Sequence, residues 1–432
     1  MPAPIAIGLL GLGTVGGGLA RALSEKAAFI ERYVGAPVLL RRVLVRDEAK
    51  QRVPLPTGAS LTTDANDILA DPDIAIVVEV MGGEEPALSY IQKSLHRGKH
   101  VVTANKEVLA KHLPKVLAHA AEHGVALRFE ASVAGGIPLI RPLVEDLAGN
   151  DLSAVYAIIN GTTNYMLTRM RREGLSYADA LAEAQRLGYA EADPSTDVDG
   201  VDAAYKLAIL SSLAFHTQVR DTDVYREGIV RLAPVDFRYA AELGYAIKLL
   251  ATGRRVGDAV EARVHPAFIS DASPLADVDG VLNAVELEGD LVDWAMFQGP
   301  GAGREATASA VLGDLLAIAR GIATGAPVPP PPSLDRALPI LPMAQLTSEY
   351  YLRLQAQDRP GVMAQVTKVL GDAGVSLASV IQKESHTGSL AEIVITTHSA
   401  SEAAVQQAAT ALSELSAVRE VSNLVRIKGG QG

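Results

Sequence analysis

The sequence has no cysteine, which excludes a disulfide framework and any thiolate metal site or nucleophile. It has no clustered lysine and arginine face, and its formal net charge is -11, so neither nucleic acid nor anionic membrane is expected as a partner. Its nine histidines contain no H-E-x-x-H spacing and no G-x-S-x-G elbow occurs, which leaves hydrolytic and zinc chemistry without a foothold. The first twenty residues lack charge, yet no basic stretch precedes them and six glycines interrupt the run. Neither a signal peptide nor a membrane span tolerates that pattern. The expectation is a soluble, cytoplasmic protein. A chain of 432 residues at ~150 per domain gives about three domains, without long internal repeats.

What the chain does have is alternation. Short apolar runs at 5–11, 37–45, 74–81, 99–105 and 125–133 are separated by helical segments such as 85–97 and 106–122. Strand and helix alternating at this spacing imply an α/β fold, with a parallel sheet covered on both faces. After Gly135 helices dominate, at 137–148, 163–173, 176–187, 201–215 and 304–320, with strands at 154–160, 259–269 and 290–298, an α+β pattern. The proline run in "GAPVPPPPSLDRALPILP" continues neither helix nor central strand and reads as a stiff linker. From about 349 the order is strand, helix, two strands, helix, strand, the ferredoxin-like βαββαβ plan. The expected units are a Rossmann-like domain (1–134), an α+β domain (135–322), a proline-rich linker (323–347) and a ferredoxin-like unit (348–432).

"GLGTVG" follows the first strand and opens a helix, the context a dinucleotide fingerprint requires. Gly11, Gly13 and Gly16 allow a tight turn, and the helix start at Thr14 and Val15 offers free N–H groups to a pyrophosphate. A ribose-reading residue belongs near the end of the second strand, where "VLVRDEAK" presents Arg46 and Asp47, with Lys50 and Arg52 close behind. Arg46 suits the 2′-phosphate of NADP and Asp47 the 2′-hydroxyl of NAD; the reading favours NADP, with NAD as the alternative. "TANKE" places Lys106 directly after a strand, facing the crevice where such sheets bind ligands. Gly303, in "QGPGAGRE", stands before another helix and is a candidate to close over a cofactor.

"DVDGVDAAYKLAIL" sets Asp202 and Lys206 four residues apart, at the head of an apolar helix. As a surface pair they would contribute only ~0.3–0.5 kcal/mol. At the edge of a core, burial would lower the lysine's pKa while the carboxylate raised it, and a lysine tuned between the two moves a proton near neutral pH. Upstream, Glu191, Asp193, Asp197 and Asp199 either hold a cationic substrate group or cap the helix.

Together, "GLGTVG", "TANKE", "ASVAGGIPLI", "NGTTNYML", "GYAEADPSTDVDGVDAAYKLAIL" and "GPGAGREATASAV" resemble homoserine dehydrogenases across about residues 5–320, and "DRPGVMAQVTKVLGDAGVS" resembles an ACT domain. The resemblance implies reversible hydride transfer between NAD(P)H and L-aspartate 4-semialdehyde, giving L-homoserine. It makes Lys206 the proton donor and acceptor with Asp202 beside it. Lys106 would lie between nicotinamide and substrate, Glu191 and Asp197 on the substrate, and Gly188 among the cofactor contacts. It adds a sodium ion held by Glu130 and the carbonyls of Val133, Gly135 and Ile137. It also implies that residues 135–322 dimerise, as a homodimer or tetramer, and that an amino-acid effector, threonine as first guess, sits at the loop from Asp358 to Gly361. Two alternatives stay open: another NAD(P)-dependent aldehyde reductase on the same plan, and a sensor that binds nucleotide and amino acid without turnover.

Overall fold

The structure, a computed structural model, describes residues 3–50, 53–384 and 390–429. The run IAIGLL forms β1 (Ile5–Leu10), which runs parallel to β2 (Val38–Leu44), with β3 (Ser60–Thr62) outside it. On its other side lie β4 (Ile74–Glu79), β5 (His100–Thr103) and β6 (Leu127–Arg128), all parallel. The order 3-2-1-4-5-6 reverses between β1 and β4, so the crevice opens at the carboxyl ends of those two strands. One face packs against Leu19 and Leu23 of the Thr14–Glu25 helix and against Val311, Leu315 and Ile318 of the Arg304–Thr324 helix. Ile68 and Leu69 cover part of the other.

The Arg304–Thr324 helix follows the second domain in the chain, and its apolar side completes the core of the first. Gly18 makes the approach feasible: a Cβ there would stand 2.9 Å from the Cβ of Ala308. By length and composition this helix is also long and apolar enough to cross a membrane; here its apolar side is used on the core of the first domain. The run 125–133 yields only the two residues of β6, because the chain then turns into a short 3-10 segment at Glu130–Ser132.

The second domain contains β7 (Leu152–Ile158), β8 (Tyr225–Arg226), β9 (Tyr245–Val256), β10 (Ala259–Ser270), β11 (Leu282–Gly289) and β12 (Asp293–Pro300). The main strands lie in the order β12-β11-β7-β9-β10. β9 was not anticipated, because it is buried on both faces and shows no two-residue alternation; β11 was missed as well. Against this sheet lies the Val201–Phe215 helix, in which every residue from Asp202 onward except Tyr205 is buried. An all-round apolar helix of this kind belongs in a core, and two polar side chains on its first turns, Asp202 and Lys206, are carried in with it.

The third unit is the expected βαββαβ fold: β13 (Thr347–Gln357), β14 (Leu377–Glu384), β15 (Leu390–Thr397), the two-residue β16 (Ala400–Ser401) and β17 (Val418–Ile427), with helices at Val362–Asp372 and Glu402–Glu414. Its antiparallel order is β17-β13-β15-β14. β17 also pairs with β10, through Ala267↔Arg426 and Phe268↔Ile427, so the second and third units share one eleven-stranded sheet. The proline-rich segment is laid along the second domain: Arg336 N–H donates to the His216 carbonyl at 2.8 Å, and Leu341 N–H to that of Val260 at 2.8 Å.

Candidate active site

The crevice beyond β1 and β4 is a cleft of about 710 Å³. Gly11, Gly13 and Thr14 form one wall, Arg46, Asp47 and Lys50 another, and Arg304 reaches it from the start of its helix. The glycines are required where they stand. Gly11 has φ 102°, and a Cβ on Gly16 would lie 2.1 Å from the Gly11 carbonyl oxygen. The first N–H groups of the Thr14–Glu25 helix have no helical acceptors and no side-chain cap, which leaves a polar, positive helix end facing the cleft. Val15 packs against the core, so its side chain takes no part in the wall. Arg46 is exposed on the cleft, whereas the Asp47 carboxylate accepts Ala49 N–H at 2.9 Å within its own turn. Arg52 lies outside the described residues. Sequence reasoning missed Arg304, although it stands in the glycine-rich "GPGAGRE" turn. It also missed Glu79, fully buried at the end of β4, where burial raises its carboxyl against bonds from Thr103 Oγ1 (2.6 Å) and Met81 N–H (2.7 Å).

The second part of the site is a lysine pair sharing one carboxylate. Lys106 opens the Lys106–Glu122 helix directly after β5, with Asn105 as its N-cap accepting Val108 N–H at 3.1 Å. Its ammonium pairs with Asp202 Oδ1. Asp202 Oδ2 accepts Lys206 Nζ at 2.7 Å and Asn160 Nδ2 at 2.9 Å. Lys206 donates a second bond to the Ile159 carbonyl at 2.7 Å, and Asn160 Nδ2 also reaches Asp197 Oδ1 at 2.7 Å. Asn160 was not singled out in the sequence; its signal is the "NGTTN" motif, where it caps the Gly161–Glu173 helix by accepting Thr163 N–H.

The electrostatics follow from this packing. Burial opposes the ionised form of Asp202, but Lys206 and Lys106 outweigh it and hold the carboxyl well below the usual carboxylate range. Burial also holds Lys206 below the ordinary lysine value; Lys106 pushes the same way and Asp202 opposes both. The side chain of Lys206 is 11% exposed and that of Lys106 is 39% exposed, so a buried ammonium and a wetter one meet on the same anion.

Other expected site residues lie outside this cluster. Glu191 is exposed, and its main-chain carbonyl accepts Gln185 Nε2 at 3.0 Å. Gly188, after the Tyr177–Arg186 helix, and Gly303, with φ 115° before Arg304, are not in the cleft wall, although Arg304 is. The Glu130 carboxylate is occupied: Oε1 accepts Leu139 and Ile140 N–H and Oε2 accepts Arg141 N–H, so it caps a helix start and has little left for a cation. The main-chain oxygens of Val133, Gly135 and Ile137 accept no hydrogen bond among the described residues. Ala134 and Gly135 are both left-handed, at φ 55° and 54°. Asp358 and Gly361 are exposed at the loop after β13.

The homoserine dehydrogenase profile matches residues 138–316, the NAD-binding profile of that family residues 11–130, and the ACT profile residues 350–417. The homoserine dehydrogenase of Neisseria gonorrhoeae is 43% identical over 430 residues, covering 98% of this chain and 99% of its own. The chain belongs to the homoserine dehydrogenase family. A homoserine dehydrogenase structure from Thiobacillus denitrificans superposes with a TM-score of 0.92 at 44% identity, covering 99% of this chain and 98% of its own. A hyperthermophilic archaeal homoserine dehydrogenase in complex with NADPH matches with a TM-score of 0.63 at 27% identity, over 73% of this chain and 98% of its own. As a homoserine dehydrogenase with an ACT domain, the chain is an NAD(P)-dependent oxidoreductase, and residues 11–130, which carry "GLGTVG", match the family's NAD-binding domain.

Proposed function

We propose that Lys206 passes a proton to and from the substrate oxygen as the enzyme interconverts L-aspartate 4-semialdehyde and L-homoserine. The observation that supports this is the state of its ammonium. Two N–H groups are committed, to Asp202 and Ile159, and among the described residues the third has no partner. The nicotinamide nucleotide, when bound, exchanges the hydride. In the reduction, negative charge grows on the carbonyl oxygen, and the third N–H of Lys206 stabilises it and then releases its proton. Burial makes that release easier, while the ionised Asp202 keeps the lysine oriented and charged enough to serve as a donor.

In this reading Lys106 stands between the nicotinamide and the substrate. Glu191 and Asp197 hold the substrate ammonium, and Arg304 joins Gly11, Gly13 and Thr14 on the cofactor phosphates. The preferred nucleotide is NADP, with Arg46 on the 2′-phosphate; the engagement of Asp47 in its own turn favours this over NAD. A sodium ion belongs at the 133–137 turn, on the main-chain oxygens rather than on the Glu130 carboxylate, with three unbonded carbonyls in its support. The proposal further includes a cytoplasmic homodimer or tetramer, and an amino-acid effector at the Asp358–Gly361 loop.

The test is nicotinamide absorbance with purified protein and L-homoserine, NADP and NAD in parallel. Homoserine-dependent reduction with a higher kcat/KM for NADP is the expected result. Dinucleotide binding without reduction of either nucleotide would overturn the reading in favour of a sensor.

A further inference from the structure

Where the first two domains meet the proline-rich segment, the fold encloses a cavity of about 300 Å³ that shares no lining residue with the nucleotide cleft. Residues 125–130, which include β6, line it from the first domain, together with Asp314 of the Arg304–Thr324 helix. Leu213 and His216, at the end of the Val201–Phe215 helix, line it from the second. Residues 329–333 line it from the segment that leads to the ACT unit.

Much of the wall is apolar, including Leu127, Phe129, Ile140, Leu143 and Leu213, and one carboxylate stands out against it. Asp314 is 6% exposed. Its Oδ2 accepts Glu130 N–H at 2.7 Å, while Oδ1 accepts no hydrogen bond and pairs with no cation among the described residues. That oxygen is not sealed within the protein either, so a ligand in the cavity can reach it. Burial raises the carboxyl to about 7 against the Glu130 N–H. A buried carboxylate with no cation in contact is costly, and a donor that carries positive charge relieves it best.

The other charges on the walls are engaged with one another. The Glu130 carboxylate accepts three main-chain N–H groups. Arg128 and Arg141 both donate to Glu145, at 2.6 and 2.9 Å. A carboxylate or phosphate entering the cavity therefore meets no uncommitted cation, whereas an ammonium meets Asp314. The walls carry three acids, Glu130, Glu145 and Asp314, against two arginines, which leaves room for one positive charge. A metal ion needs a shell of oxygens that these aliphatic side chains do not offer. An apolar cavity of ~150 Å³ is enough for benzene, so this one accommodates a ring with a short arm.

We propose that this cavity binds a small apolar amine, its ammonium on Asp314 Oδ1 and its hydrocarbon body against the aliphatic walls and the prolines. The site is separate from the lysine pair and from the Asp358–Gly361 loop. Its occupant touches the helix that completes the first core, the end of the helix of Lys206 and the segment leading to the ACT unit, and so holds the three together.

The experiment is calorimetric titration of the full-length protein with phenethylamine. Phenethyl alcohol, which lacks the charge, and L-phenylalanine, which adds a carboxylate, are titrated beside it. One amine should bind per chain, with the alcohol and the amino acid each at least tenfold weaker. Asp314→Asn keeps the shape and removes the charge, and should weaken the amine at least tenfold. The comparison of amine with alcohol needs no substitution, so the test survives a variant that fails to fold. No saturable binding of the amine, equal binding of the alcohol or the amino acid, or undiminished binding to a folded Asp314→Asn protein would each overturn the proposal.

Discussion

Among the described residues two buried lysines, Lys206 and Lys248, form an ion pair with an aspartate, and only one of them fits a role in catalysis. Lys248 is on β9, where its side chain is 1% exposed, and its ammonium reaches the Val278 carbonyl at 2.6 Å, Asp279 at 3.0 Å and Asn164 Oδ1 at 3.5 Å. Asp279 is also held by Arg171 and Arg172. Lys206 has two partners and an opening, and its aspartate is shared with a second lysine from another domain. Burial lowers the pKa of both lysines, so a shifted pKa does not separate them. Spare bonding capacity and access do. A saturated ammonium, 1% exposed, is a structural bolt; one with an uncommitted N–H among the described residues and 11% exposure can exchange its proton.

The sharpest way to break this comparison is to remove each ammonium. Lys206→Met should cut kcat by ~10²–10⁴-fold, the usual range for positioned acid–base catalysis, with nucleotide affinity retained in a fluorescence titration. Lys248→Met should leave kcat per folded molecule unchanged and destabilise the fold by about 1–3 kcal/mol, because buried acceptors lose their donor; thermal unfolding reads that loss. Turnover lost in a folded Lys248→Met protein would end the distinction.

A smaller effect is expected in the pH profiles. With Lys206 in the proposed role, homoserine oxidation requires it neutral to accept a proton, so kcat/KM should rise with pH through an apparent pKa below the ordinary lysine value of ~10.4 and level off above it. Reduction needs it protonated and should fall over the same range. Lys106→Met removes a like charge that depresses Lys206, so the apparent pKa should move up in both directions of reaction. A profile that stays in place would mean that Lys106 does not tune its neighbour. The smallest effect is expected at the cofactor: Arg46→Ala should lower kcat/KM for NADP by about tenfold and leave NAD nearly unchanged, in keeping with one charge-assisted contact.

Much of this was readable before any coordinates. The strand–glycine–helix turn is local, and so is the four-residue spacing of Asp202 and Lys206, so both emerged from periodicity and motif. The misses share a cause. β9 is buried on both faces and shows no alternation. Arg304 and the helix behind it come late in the chain but pack with its beginning. Lys248, in "YAIKLL", carries the same local signal as Lys206, an ammonium in an apolar run, and nothing in the sequence tells the two apart.

By itself, then, the sequence determined the kind of domains in this chain and which groups stand one helical turn apart, because hydrophobic period, glycine turns and i,i+4 spacing act over a few residues. Only the tertiary structure decided that Lys106, 96 residues before Asp202, shares its carboxylate. The same holds for the last helix of the catalytic region completing the first core, and for Asp314 lining a cavity beside the proline-rich segment. Those meetings depend on which buried faces of separate elements fit together, and that choice is made by the packing of the whole chain.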